Sequence, residues 1–131
     1  MIGLDTNILA RYLTQDDPAQ SRRANAVIAE ATRRGDRCAV NTIVLCELVW
    51  VLRDAYGVDR DTVVTTLEKI LDTAQFVIED RDLARRALAD YRHGPGDFSD
   101  YLIGWRNRQA GCSETATFDR ALRRSGLFRL V

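Results

Sequence analysis

Short apolar runs alternate with longer stretches of helical periodicity, and polar or acidic residues stand where several of the runs end. Residues 1–4 are apolar and lead at once into Asp5-Thr6-Asn7, three good helix caps. Ile8, Leu9, Tyr12 and Leu13 follow at helical spacing. Asp16-Asp17-Pro18 predicts a second helix start, with Ala24, Val27, Ile28 and Ala31 as its apolar stripe and Gly35 as its end. Residues 37–40 are the next strand candidate. Asn41 or Thr42 then caps an apolar helix that runs to about residue 55 and is ended by Gly57. Further helices are expected over 59–71, 80–91 and about 97–110, and further strands over 76–78, 114–118 and 127–131. Gly94-Pro95-Gly96 is the sharpest break. Strands separated by helices predict an α/β fold with a central, mainly parallel sheet of four to five strands. The 131 residues suit one domain, 1–131, around one core.

Composition narrows the function. Formal net charge is zero, which argues against a broadly basic nucleic-acid binder but leaves room for a local patch. Arginine outnumbers lysine eighteen to one, Lys69 being the single lysine. Planar guanidinium groups suit phosphate, although a GC-rich genome would give the same bias. Cys38, Cys46 and Cys112 form no CxxC pair and, with His93 the only histidine, argue against a zinc site. Unpaired thiols fit a reducing cytoplasm. No apolar run approaches the ~18 residues of a membrane span, and no secretory leader is expected.

Four carboxylates then stand out. Asp5 falls where the first strand would end, and ligands of open α/β sheets bind beyond the carboxyl ends of strands. Helix capping is its plain alternative, but Thr6 or Asn7 could cap instead. Glu47 has Ile43, Val44, Trp50 and Val51 as its helical neighbours, all apolar. A carboxylate inside such a stripe has lost most of its water unless it faces a cleft; the plain alternative is a buried Glu paired with an arginine such as Arg11 or Arg53. Asp97 and Asp100 are three apart across a helix start, so Asp97 is expected as the cap and Asp100 as the ligand. Asp119 follows the strand candidate 114–118, where first-turn helix-dipole complementation would also account for it.

Taken together, the four suggest more than caps. A parallel sheet would bring the ends of strands one and four to one edge, and helices starting there would add Glu47 and Asp100. Carboxylates so gathered raise each other's pKa, and a divalent cation relieves the repulsion. All-oxygen ligation suits Mg²⁺ or Mn²⁺, and such a site can polarise a phosphoryl oxygen and acidify a water. Phosphodiester hydrolysis is the chemistry that follows.

The sequence resembles PIN-domain ribonucleases, specifically VapC-type toxins of bacterial toxin–antitoxin pairs. The resemblance is carried by residues 2–7 (IGLDTN), 44–52 (VLCELVWVL), 96–103 (GDFSDYLI) and 117–119 (TFD), in the family's order. It implies an α/β/α sandwich and a Mg²⁺-dependent endoribonuclease that inhibits translation or growth. It implies Asp5, Glu47, Asp100 and Asp119 as the acidic quartet, with Asp5 and Asp100 holding metal directly and Glu47 and Asp119 directly or through water. Thr6, Asn7, Asp97 and Thr117 would support them. It also implies RNA as substrate (tRNA, rRNA or mRNA), a homodimer, and a cognate antitoxin covering the acidic cleft in a heterotetramer or larger assembly. Arg11, Arg106 and Arg108 are candidates for holding RNA. Two other readings compete. One is an inactive PIN-like binding module whose acids receive a partner. The other is an aspartate-nucleophile phosphohydrolase, which would want Asp rather than Asn at position 7 and a lysine placed better than Lys69.

Overall fold

A computed structural model describes all residues, 1–131, and the chain divides into two compact units, Met1–Glu79 and Asp80–Val131. In the first unit, β1 (Ile2–Gly3), α1 (Thr6–Thr14), α2 (Pro18–Arg33), β2 (Cys38–Val40), α3 (Thr42–Trp50), α4 (Arg60–Asp72) and β3 (Phe76–Ile78) follow in order. The three strands form a parallel sheet in the order β1-β2-β3. Ile2 is in register with Cys38, and Cys38 with Phe76. The central strand is buried at Cys38 and Val40, which accounts for its apolar composition. Because the strands are parallel, Asp5, Asn41 and Glu79 all follow their carboxyl ends along one sheet edge.

Local capping chemistry sets the helix starts. Asp17 Oδ1 accepts from Gln20 N at 3.0 Å, Asn41 Oδ1 from Val44 N at 2.9 Å, and Asp59 Oδ1 from Thr62 N at 2.9 Å. Each satisfies a donor that a helix leaves unpaired in its first turn, a contribution of about 1 kcal/mol. Beyond α3 the helix widens over Val51–Ala55, where Tyr56 N reaches back five residues to Val51 O. Leu45 and Leu48 of α3 are buried, as are Val63, Leu67 and Ile70 of α4 and Phe76 of β3. Tyr12 meets the Phe76 ring edge-on at 6.2 Å.

The second unit contains α5 (Arg81–His93), α6 (Phe98–Gln109), β4 (Thr115–Thr117), a short 3₁₀ turn (Arg120–Leu122) and β5 (Phe128–Leu130). Leu83, Ala84, Ala87, Leu88 and Tyr91 form the buried stripe of α5. That helix packs on α6, with Tyr91 meeting Phe98 edge-on at 6.2 Å. Gly104 of α6 lets β5 approach, since a Cβ there would lie 3.0 Å from the Phe128 ring. Gly94-Pro95-Gly96 wraps the Tyr101 side chain, whose hydroxyl accepts from Gly96 N at 3.0 Å.

All five expected strands exist, but not in one hydrogen-bonded sheet. β4 pairs in parallel with β5, so strands one and four belong to different ladders. β1 is only two residues long and pairs with β2 alone, which leaves it little ladder to extend.

Candidate functional site

Asp5 is itself the cap of α1. Its backbone is extended, and Oδ1 accepts from Thr6 N at 2.8 Å. Of the three caps the sequence left open, Asp5, Thr6 and Asn7, it is Asp5 that serves. Asp5 directly precedes the helix, and its carboxylate reaches the first free amide. The residue is exposed, so its second oxygen remains open to a ligand. Thr6 is buried, and its Oγ1 is the one buried side-chain polar atom without a hydrogen-bond partner. A buried hydroxyl left unpaired costs about 1–3 kcal/mol, so such an atom beside an open carboxylate fits a polar ligand. Asn7 is exposed on the first turn.

Glu47 is exposed rather than buried in an apolar stripe. The helix is apolar all round, so four apolar neighbours do not mark its inner face. Val44, Leu45, Leu48 and Val49 turn inward, whereas Ile43 and Trp50, one turn to either side of Glu47, are 68% and 49% exposed. Neither suggested arginine pairs with Glu47. Arg11 binds both oxygens of Asp16, at 3.0 and 2.9 Å, together with Gln20 and the Tyr56 hydroxyl. Arg53 donates to Val58 O.

In the second unit, Asp97 caps α6 and Asp100 sits three residues on, as expected. Asp100 is also bound into the cap, because its Oδ2 accepts from Asp97 N at 2.9 Å. The Asp100 carboxyl is only partly exposed, and its pKa is raised above the ordinary carboxylate value. Burial is the main cause, opposed by the Asp97 amide and reinforced by the negative charges of Asp97 and Asp119. The fold thus brings these three acids within electrostatic reach. Thr117 Oγ1 accepts from Asp119 N at 3.0 Å, and Asp119 Oδ1 accepts from Ala121 N at 2.9 Å. The Ala121 bond fixes the direction of the Asp119 carboxylate, and the Thr117 hydroxyl holds the Asp119 backbone.

No three Asp, Glu, His or Cys side chains of either unit converge closely enough to hold a metal by themselves. Donor chemistry nevertheless fits a hard cation. Asp100 is a partly desolvated carboxylate beside like charges, and Asp5 is an open carboxylate beside an orphaned hydroxyl.

Residues 2–126 match the family model for the PIN domain. The chain belongs to the PIN-domain family. A protein described as a VapC ribonuclease, from Aquifex aeolicus (strain VF5), is 26% identical to this PIN domain over 123 residues, covering 94% of this chain and 90% of the relative. No solved structure gives a significant match.

Sequence reasoning missed Glu79. It follows β3 as Asp5 follows β1, and it accepts from Thr42 N at 3.1 Å and Thr42 Oγ1 at 2.8 Å. It thereby anchors the start of α3, the helix that carries Glu47. The signal was available in an acid directly after an apolar strand. Of the suggested RNA-holding residues, Arg11 is committed to Asp16, and Arg106 lies 3.9 Å from Asp80. Arg108 donates to Gly126 O at 3.0 Å and lines a cavity in the second unit. No helix is long and apolar enough to cross a membrane.

Proposed function

We propose that this PIN domain is a divalent-metal-dependent endoribonuclease of the VapC type, the toxin of a toxin–antitoxin pair that restrains growth by cutting RNA. One observation carries the metal-dependent reading: Asp100 is partly buried and feels the negative charges of Asp97 and Asp119, a repulsion that a cation relieves. The VapC ribonuclease relative, similar over nearly the whole chain, supports the RNA substrate. The action of Asp5, Glu47, Asp100 and Asp119 as one quartet rests on the family match and on their order along the chain. A single nuclease domain, 1–131, belongs to the same reading, since one family model spans residues 2–126.

Asp5 and Asp100 would hold the cation directly, Mg²⁺ or in its place Mn²⁺, and Glu47 and Asp119 would hold it directly or through water. When bound, the cation neutralises phosphate charge and lowers the pKa of a water. The chain's own work is positional. Thr6 N fixes Asp5, Asp97 N fixes Asp100, and the Thr117 hydroxyl with Ala121 N fixes Asp119. Carboxylates oriented in advance cost no reorganisation at the moment of reaction. Asn7 supplies a further polar group in the first turn beyond Asp5. The products carry a 5′-phosphate and a 3′-hydroxyl.

The antitoxin covers the acidic cleft, and the toxin works in the cytoplasm as a homodimer, or within a heterotetramer or larger assembly with its antitoxin. Exposed Ile43 and Trp50 beside Glu47 support a protein partner there, because large apolar side chains gain by being covered. Incubating purified protein with total RNA, with Mg²⁺ or with EDTA, tests the proposal. Cleavage in Mg²⁺ alone, abolished by Asp5→Asn in folded protein, is expected. Metal binding without cleavage of any RNA would instead establish an inactive binding module.

A further inference from the structure

The second unit carries an open-sided cavity of about 950 Å³ between the end of α5, the middle of α6 and the segment after Asp119. Arg108, Arg120, Arg123 and Arg124 line it, with His93. Asp90 is its one carboxylate, and Asp90 Oδ2 already accepts from Trp105 Nε1 at 2.7 Å. The side chains of Arg120, Arg123 and Arg124 make no ion pair or hydrogen bond within the chain. The chain as a whole is neutral, yet residues 80–131 hold ten arginines against seven carboxylates. Residues 1–79 reverse this, with nine basic residues against twelve carboxylates. Positive charge is therefore concentrated in the unit that holds the cavity, and three of the cavity's arginines are not spent on neighbours.

Its remaining wall is apolar: Trp105, Pro95 and Leu127. Arg86 stacks on the Trp105 ring at 5.1 Å, and the Asp90 bond fixes the indole in its plane. A rigid aromatic and apolar wall beside unpaired guanidinium groups matches a ligand with both a planar ring and a phosphate. An acidic peptide would satisfy the arginines but leave the apolar wall without a partner.

We infer that this cavity is a binding subsite for single-stranded RNA, taking phosphates on Arg120, Arg123 and Arg124 and a base against the Trp105 wall. The inference rests on the ribonuclease reading and adds to it a place where the strand is held. Arg120 directly follows Asp119, so a strand seated in the cavity leads toward one of the proposed catalytic acids. It also explains how a neutral chain with an acidic centre attracts a polyanion: the attraction is local.

The test measures binding of a fluorescein-labelled single-stranded RNA oligonucleotide to the full chain in EDTA, by anisotropy, across a salt series. Arg123→Gln/Arg124→Gln is compared with Arg22→Gln/Arg23→Gln, which makes the same charge change on exposed α2. The cavity variant is expected to bind on the order of tenfold more weakly, with a salt slope shallower by about 0.7 for each phosphate it no longer neutralises. The α2 variant is expected to bind as the parent does. In Mg²⁺ the cavity variant should raise KM and leave kcat in place. Equal weakening by both variants, or none by the cavity variant, overturns the inference. Cavity-dependent RNA binding with no cleavage in Mg²⁺ would keep the subsite and remove the ribonuclease reading. Cleavage with an unchanged KM in the cavity variant would do the reverse.

Discussion

The backbone N–H of Asp97 donates to Asp100 Oδ2 at 2.9 Å, so the bond that starts α6 also aims a carboxylate of the proposed site. One oxygen of Asp100 is committed to the cap and the other is available. Asp100 is thus a structural acid of the cap, and its second oxygen leaves the proposed metal-binding role open to it.

Asp100→Asn should separate those roles. An asparagine carbonyl can still accept from Asp97 N, so the helix start survives, and the half-buried negative charge disappears. Cleavage is expected to fall by roughly a hundredfold or more. The parent's melting temperature should rise on adding Mg²⁺, since a ligand of the folded state stabilises it, and the variant should lose most of that rise. Calorimetry with and without Mg²⁺ checks this, and an equal Mg²⁺ response in both proteins would remove Asp100 from the metal-binding set.

Acid sensitivity should trace in part to Asp16. Its carboxyl is held down to about 2, most strongly by the Thr14 hydroxyl, and also by hydrogen bonds with Tyr56 and Arg11. A carboxylate whose folded pKa is depressed contributes stability that is fully present above its unfolded value near 3.8 and is lost as pH falls toward 2. Asp16→Asn is therefore expected to be less stable than the parent at neutral pH, with the gap closing between pH 3.8 and pH 2. Urea titrations across that range measure the gap. A constant difference at all pH values would mean that charge is not the cause.

Gly96→Ala should loosen the segment that carries Asp119. The added Cβ would lie 2.5 Å from Leu122 Cδ2 and 3.0 Å from the Tyr101 ring, and Leu122 closes the short turn that Asp119 begins. Overpacking of this kind costs about 1–3 kcal/mol. A lower denaturation midpoint with an unchanged urea slope is the expected result.

What the sequence made legible was local. Asp17, Asn41 and Asp59 cap the helices that begin beside them, because capping depends on residues within three positions. The order of Asp5, Glu47, Asp100 and Asp119 revealed the family for the same reason, each motif being a short contiguous stretch. Strand partnership was not legible, since the pairing of β4 with β5 joins Thr115 to Phe128, residues on either side of an intervening turn. The arginine-lined cavity was also hidden. Arg108 and Arg124 lie on separate elements, and only the folded second unit places them around one cavity. Glu47 shows a different limit: on a helix with too many apolar residues, apolar neighbours no longer report which face is buried.

That correction changes what Glu47→Gln should do. Had Glu47 been desolvated and paired, neutralising it would have altered stability by several kcal/mol. As an exposed residue without an arginine partner, it should tolerate the change within about 0.5 kcal/mol. Loss of RNA cleavage is nevertheless expected, because the proposed role of its charge is toward the cation and not toward the core. Thermal denaturation and cleavage measured on the same preparation decide the matter. A stable but inactive variant supports the exposed catalytic carboxylate, an unstable one returns Glu47 to the core, and a stable and fully active one removes it from the quartet.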